Sequence, residues 1–259
     1  MQKWGVTVSE QRDKGTDKSG PEESSLSIPC YPGQALITIP GDFQIAPLDP
    51  SHLEEIMGLQ ELVFASLEDK THCVRLSREE YLDILGEHGI VLGMLYAGRL
   101  VALYGALFPG DSSENLGHDL DLPAEKLEQV CHLEISLVHP DYQGKKLQPA
   151  LGQRVVAAVE DLGMHRYLCA TVGPENHVAL KNVLALGLCA VQLKQKYQGL
   201  WRFILLRDLQ TPHKPQQEDP LTVHNNDFEK QIQLLNQGYC GFQQVEISGK
   251  PAVLYAKIQ

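Results

Sequence analysis

The sequence predicts an α/β (α+β) chain, a mixed and mostly antiparallel twisted sheet flanked by helices. Three observations carry this. Short apolar runs of strand length alternate with stretches of helical periodicity from residue 36 to residue 206. Two of the runs, 90–96 and 100–108, meet at Ala97-Gly98-Arg99, a hairpin signal that requires an antiparallel pair. A third run, 131–138, passes through a loop bearing Gly144 and two lysines and opens directly into an amphipathic helix.

The elements follow in order. Residues 1–33 read as a disordered tail, because KGTDKSGPEESS is polar and small and buries too little surface to offset its ordering entropy. Residues 36–39 and 43–48 read as short strands, the second ended by Asp49-Pro50. Ser51 is placed to cap a helix running to Phe64, with Leu53, Ile56, Met57 and Gln60 at helical spacing. Ser77 and Glu80 form a capping box for a helix over 78–86. After the hairpin comes a long acidic connection, 109–129, of the kind that borders a binding site.

The helix over 149–162 carries one stripe of Leu151, Val155, Ala158 and Leu162. Pro149 falls in its first turn, where no amide bond is needed, and Gly163 ends it. Residues 167–172 read as a strand and 175–186 as a helix closed by Gly187. Strands over 188–196 and 200–206 follow. The stretch 211–220, with three prolines, is the linker. Beyond it Phe228, Ile232 and Leu235 mark a helix ended by Gly238, and a hairpin turns at Ser248-Gly249. The expected organisation is one domain over 34–210 and an extension over 221–259 whose helix and hairpin cover a sheet edge. No internal repeat is visible.

With 43% hydrophobic and 21% charged residues, the chain has the composition of an ordinary globular protein. No apolar run approaches the ~20 residues of a membrane span. The start MQKWGVTVSEQRDK lacks a signal-peptide core, so a cytoplasmic protein is expected, without a membrane partner. A net charge of −11 argues against nucleic-acid binding. The six cysteines are scattered without a CxxC pair and read as buried thiols; no metal site is expected.

Against this acidic background the loop QGKKLQ at 143–148 stands out. It presents backbone N–H groups and two lysines at a helix N-terminus, where partial positive charge gathers, and so makes a seat for phosphate. On this loop and on the order of elements around it, residues 41–207 resemble the GNAT superfamily of acyl-CoA-dependent N-acyltransferases. That family's signature is Q/R-x-x-G-x-G/A between a strand and a helix. Gln143 takes its first position, Lys146 that of the first glycine and Gln148 that of the second, with Gly144 off the pattern.

The resemblance implies a GNAT-like fold with acetyl-CoA, or another acyl-CoA, as co-substrate. Gln143, Gly144, Lys145, Lys146, Leu147 and Gln148 would hold its pyrophosphate. Leu137, Val138 and His139 would run beside the pantetheine arm, and Asn176, with Ala179 three residues on, would lie near the thiol. The family's usual tyrosine, seven residues after that asparagine, is Val183 here.

Acyl transfer needs an unprotonated amine and a stabilised oxyanion. A backbone N–H at Val138 or His139 suits the oxyanion, and Glu134 is the candidate general base. Strand alternation places Glu134, His132, Ser136 and Val138 on one face. His132 reads as a surface histidine that could replace the base, Ser136 as a residue that could orient a substrate, and Tyr142 and Tyr197 as stand-ins for the missing tyrosine. The function so implied is an N-acetyltransferase moving the acetyl group to an amine of a small molecule or protein by direct attack. The alternatives left open are a catalytically inactive acyl-CoA-binding sensor or interaction module, and a module for another nucleotide. A homodimer is also left open.

Overall fold

The computed structural model describes residues 24–28, 36–67, 74–197, 199–216 and 218–258. In chain order the elements are β1 (Ser25–Ile28), β2 (Ile37–Pro40), β3 (Phe43–Pro47), α1 (Leu53–Ser66), α2 (Arg78–Leu85), β4 (Gly89–Tyr96), β5 (Arg99–Leu107), α3 (Ala124–Leu127) and β6 (Val130–Val138). They continue with α4 (Leu147–Leu162), β7 (Tyr167–Val172), α5 (His177–Ala185), β8 (Cys189–Lys196), β9 (Leu200–Asp208), β10 (Leu221–His224), α6 (Phe228–Asn236), β11 (Tyr239–Ile247) and β12 (Lys250–Lys257).

Ten strands form one sheet in the order β10-β12-β11-β8-β9-β7-β6-β5-β4-β3, and every neighbouring pair is antiparallel except β6 with β7. Two hydrophobic layers cover it. One joins α1 and α2 to β4, β5 and β6 through Ile56, Tyr81, Leu103 and Leu137. The other joins α4 and α5 to the opposite face through Leu151, Val155, Leu180 and Phe203. Ser77 does cap α2, with Glu80 completing the box. The first helix differs from expectation. Asp49 caps a 3-10 turn, Pro50–His52, and α1 begins only at Leu53, because Pro50 fits the first turn and the Asp49 carboxylate accepts the Ser51 N–H at 2.9 Å.

Three expectations are corrected. Ser25–Ile28, inside the expected tail, is a strand. It pairs with β2 and buries Ile28 against the core, two apolar residues outweighing the polar composition around them. The rest of that tail, residues 1–23 and 29–33, lies outside the described residues, as do Cys30 and Cys73. A strand, β10, follows the proline-rich linker, and with β11 and β12 it continues the main sheet. The strand β6 also does not alternate regularly. Gly105 faces Ile135 but Ala106 faces Leu133, so Glu134 is the extra residue of a β-bulge.

Candidate active site

The site is built from two interruptions of β6. On one edge β6 pairs with β5 from His132 to Val138. On the other it pairs with β7 only from Val130 to His132, after which the strands splay. From Leu133 onward one edge of β6 has no strand beside it. His139 N–H donates to Val101 O at 2.8 Å. Antiparallel ladders point successive amides to opposite edges, so the N–H groups of Val138 and Ser136 aim into the gap. His139 is thereby removed as an oxyanion donor, while Val138 is kept.

The bulge is the second interruption. Leu133, Ser136 and Val138 stand opposite Ala106, Tyr104 and Ala102, all on the α4 face, whereas Ile135 and Leu137 pack against α1 and α2. Regular alternation would have put Glu134, Ser136 and Val138 together; the extra residue breaks it, and Glu134 lies beside His132. Glu134 Oε2 lies 3.7 Å from His132 Nδ1, with the Glu134 side chain 32% exposed. His132 is no surface residue. It is buried, and its Nε2 accepts the Leu116 N–H at 3.0 Å. In the neutral ring the proton then resides on Nδ1, facing Glu134.

The turn into α4 contains two left-handed residues, Gly144 (φ 75°) and Lys146 (φ 62°). A lysine thus occupies a conformation that favours glycine, at the place where the family signature has its first glycine. Lys146 gives α4 no side-chain cap, Pro149 has no N–H, and the amides of Leu147 and Gln148 lack intrahelical acceptors by geometry. The Gln148 side chain is drawn toward α5, where its Oε1 accepts from Asn182 Nδ2 at 2.8 Å. A side chain placed on Gly144 would meet no atom within 4 Å, so space lies open beside the turn.

The gap and the turn share one cleft of about 1490 Å³. Glu134, Val138, Gln143, Gly144, Lys146, Leu147, Gln148 and Asn176 line it; Leu137, His139 and Lys145 stand outside the lining. Leu137 is buried among α1 and α2, and His139 packs edge-on against Tyr142. Asn176 caps α5 by accepting the Ala179 N–H at 3.1 Å. Val183 is buried and brings no hydroxyl.

Sequence reasoning missed part of the wall. Arg202 is buried beside Gly173, its Nη1 3.5 Å from Glu175 Oε1. The available signal was a charge inside the apolar run LWRFILL. Tyr197, which the sequence did single out, also lines the cleft, its hydroxyl 3.5 Å from Thr171 Oγ1. Burial, together with the charge of Glu134, raises its pKa and keeps the phenol protonated. Ser136 Oγ is buried without a hydrogen-bond partner.

The cleft carries both signs of charge. Lys146 lines it at the N-terminus of α4, while Asp111, Glu114 and Glu128, from the acidic connection, and Glu134 on β6 line it with carboxylates. Asp119 moors this acidic connection to β8, binding Lys194 and Lys196 at 2.6 and 2.5 Å.

No family model and no curated protein sequence matches the chain. Solved structures do. The chain is similar to Arabidopsis thaliana NAA60 in complex with acetyl-CoA, at 14% identity and a TM-score of 0.53, over 66% of this chain and 100% of that one. It is likewise similar to aminoglycoside acetyltransferase AAC(6')-Ib in complex with coenzyme A and kanamycin, at 14% identity and a TM-score of 0.50, over 65% and 96%. The fold is that of the GNAT acetyltransferases. The splay of β6 from β7 and the turn before α4 are the parts of this GNAT fold that shape the cleft. Among the described residues no helix is long and apolar enough to cross a membrane, and no group of three or more His, Cys, Asp or Glu is arranged to hold a metal ion.

Proposed function

We propose that the chain is a divergent GNAT N-acyltransferase that moves an acyl group, most simply acetyl, from acyl-CoA to an amine. One observation carries this reading: an unpaired strand edge and a turn of unsatisfied amides with two left-handed residues open into the same cleft. The amides at Gly144–Gln148, helped by Lys146, suit a pyrophosphate. The free edge of β6 suits the amides of a pantetheine arm, and Asn176 lies along the wall on the β7 side. Two left-handed residues support glycine-like backbone geometry despite the lysine.

The reaction is direct attack. Glu134 takes a proton from the ammonium or from an intervening water, and the free amine attacks the thioester carbonyl. The Val138 N–H stabilises the oxyanion that develops there. The C–S bond then breaks as Tyr197, still protonated, gives its proton to the departing sulfur, and the second proton shed by the new amide nitrogen restores the phenol through water. His132, fixed by Leu116, orients the Glu134 carboxylate. The carboxylates Asp111, Glu114 and Glu128 favour a cationic acceptor.

A second reading, an acyl-CoA-binding module without turnover, is favoured by Val183, which cannot act as an acid. Calorimetric titration with CoA and acetyl-CoA, followed by thiol release across a panel of amines, tests both. Binding with release is the expected result. Binding without release selects the module, and the absence of heat removes both.

A further inference from the structure

Two stretches of this chain trace the same path. β7-α5-β8-β9 and β10-α6-β11-β12 are each a strand, a helix and a hairpin, and their landmarks recur at one spacing. Cys189 and Cys240 are 51 positions apart (240 − 189), as are the helix-ending glycines (238 − 187) and the helix caps Asn176 and Asp227 (227 − 176). The cap bonds coincide: Asn176 accepts from Ala179 N–H and Asp227 from Lys230 N–H, both at 3.1 Å. Gly187 and Gly238 have φ of 85° and 80°. Each hairpin carries its bulge at the same place, between Ala190 and Gln192 and between Gly241 and Gln243. Thr171-Val172 returns as Thr222-Val223. Two unrelated β-α-β-β units have no physical reason to share cap, spacing and bulge together.

The units face one another across a pseudo-two-fold axis. The sheet reads β7-β9-β8 on one side and β11-β12-β10 on the other. Their strands meet at Ala190 opposite Gly241, antiparallel, and these two residues are equivalents (241 − 190 = 51). Equivalent residues facing each other are the mark of an isologous contact. Cys189 and Cys240, also equivalents, are both buried free thiols beside this contact. Asn225 Nδ2 donates to the carbonyl of its own equivalent, Pro174, at 2.8 Å. The helices cross the axis, α5 packing on β11 and α6 on β8. A Cβ on Gly241 would stand 3.3 Å from Ala190 Cβ, so small side chains let the strands approach. The solved structure of NAA60, matched over its whole length, covers only 66% of this chain and leaves the rest without a counterpart.

We propose that residues 222–257 are an internal duplicate of 171–207 that fills the place of a second subunit, closes the β8 edge from within and leaves the chain a monomer. Among the described residues β10 is the outermost strand, with no partner to splay from, so the duplicate does not repeat the cleft between β6 and β7. The contact geometry stands whether or not the cleft transfers acyl groups.

Light scattering on the intact chain over a wide concentration range is the first test. A single-chain mass of 28.8 kDa is expected, and twice that mass overturns the proposal. Next, a protease site placed in the 211–220 linker of the full chain is cut after folding. The two pieces should co-elute one to one, as subunits do; release of the smaller piece from a still-folded larger one overturns the proposal. A chain ending at Gln210 gives the third reading, because it bares the β8 edge. Its mass should double, with Cys189 of each copy at the new axis. Diamide should then link them, two thiols giving one disulfide as the diazene takes up both protons and electrons, and Cys189→Ala should abolish the link. A folded monomer, confirmed by circular dichroism, counts against the proposal. If this shortened chain fails to fold, the nicked full chain decides.

Discussion

The two β-α-β-β units have the same helix caps, the same bulge and the same turn glycines, yet only the first borders the cleft. What differs is the neighbour. β7 meets β6 over three residues and then parts from it, whereas β10 is the outermost strand of the sheet. Asn176 therefore caps its helix at a cleft wall, and Asp227 makes the same bond away from it. The site is a property of the seam between two half-sheets, and the unit itself supplies only rigidity.

The largest test of this contrast is chemical. Glu134→Gln should lower kcat about 10²–10⁴-fold, the usual worth of a positioned base, while calorimetry finds CoA affinity unchanged. Glu246→Gln in the second unit should leave both alone. Phe203→Ala, which empties a fully buried site of the first unit, should cost about 3–5 kcal/mol in denaturant unfolding. Asn176→Ala and Asp227→Ala should each lose about 1 kcal/mol of stability as cap deletions. Only Asn176→Ala should also weaken CoA binding, and equal effects on binding would erase the distinction between the units.

Lys146→Gly should raise stability by up to ~1 kcal/mol, since it relieves a left-handed non-glycine residue. It should preserve or improve CoA affinity; a sharp loss would show that the ammonium has taken over the glycine's role. The smallest effect is in pH. Burial lowers the pKa of His165 and His213. Their contribution to stability is therefore complete above the ordinary histidine value of about 6.5 and is lost as pH falls below it. Burial opposes ionisation of Asp208 too, but Arg166 and Thr211 outweigh it and hold the carboxyl well below the usual range. That contribution persists above about pH 4 and fades only in stronger acid. Melting curves should show two separate declines, and His165→Phe should shrink the first.

Much of the frame was legible because local chemistry and tertiary packing agree. The Ser77–Glu80 box, Gly163, Gly187 and Gly98 all do what their residue types favour. The loop at 143–148 stands out by composition, but that Lys146 takes the left-handed conformation glycine favours does not follow from its residue type. The bulge was not legible. Nothing in HLEIS announces an extra residue, since bulges depend on the partner strand, and so the faces of Ser136 and Val138 were misplaced. His132 was misread for a related reason. Its partner is the backbone of Leu116 in the acidic connection, a contact that no periodicity encodes. The repeat escaped notice because it lives in caps, turns and bulges, where few side chains need to match.

The inserted residue in β6 has a consequence for how this protein can change. Glu134 belongs to neither hydrophobic layer, and the ladder on each side of it is complete without it. Folding therefore leaves position 134 unconstrained: on the proposed function, exchanges there should alter turnover and leave the scaffold intact. A saturation library at this one codon would sort variants by turnover while their melting temperatures stayed bunched, which makes it the natural first handle for redesign.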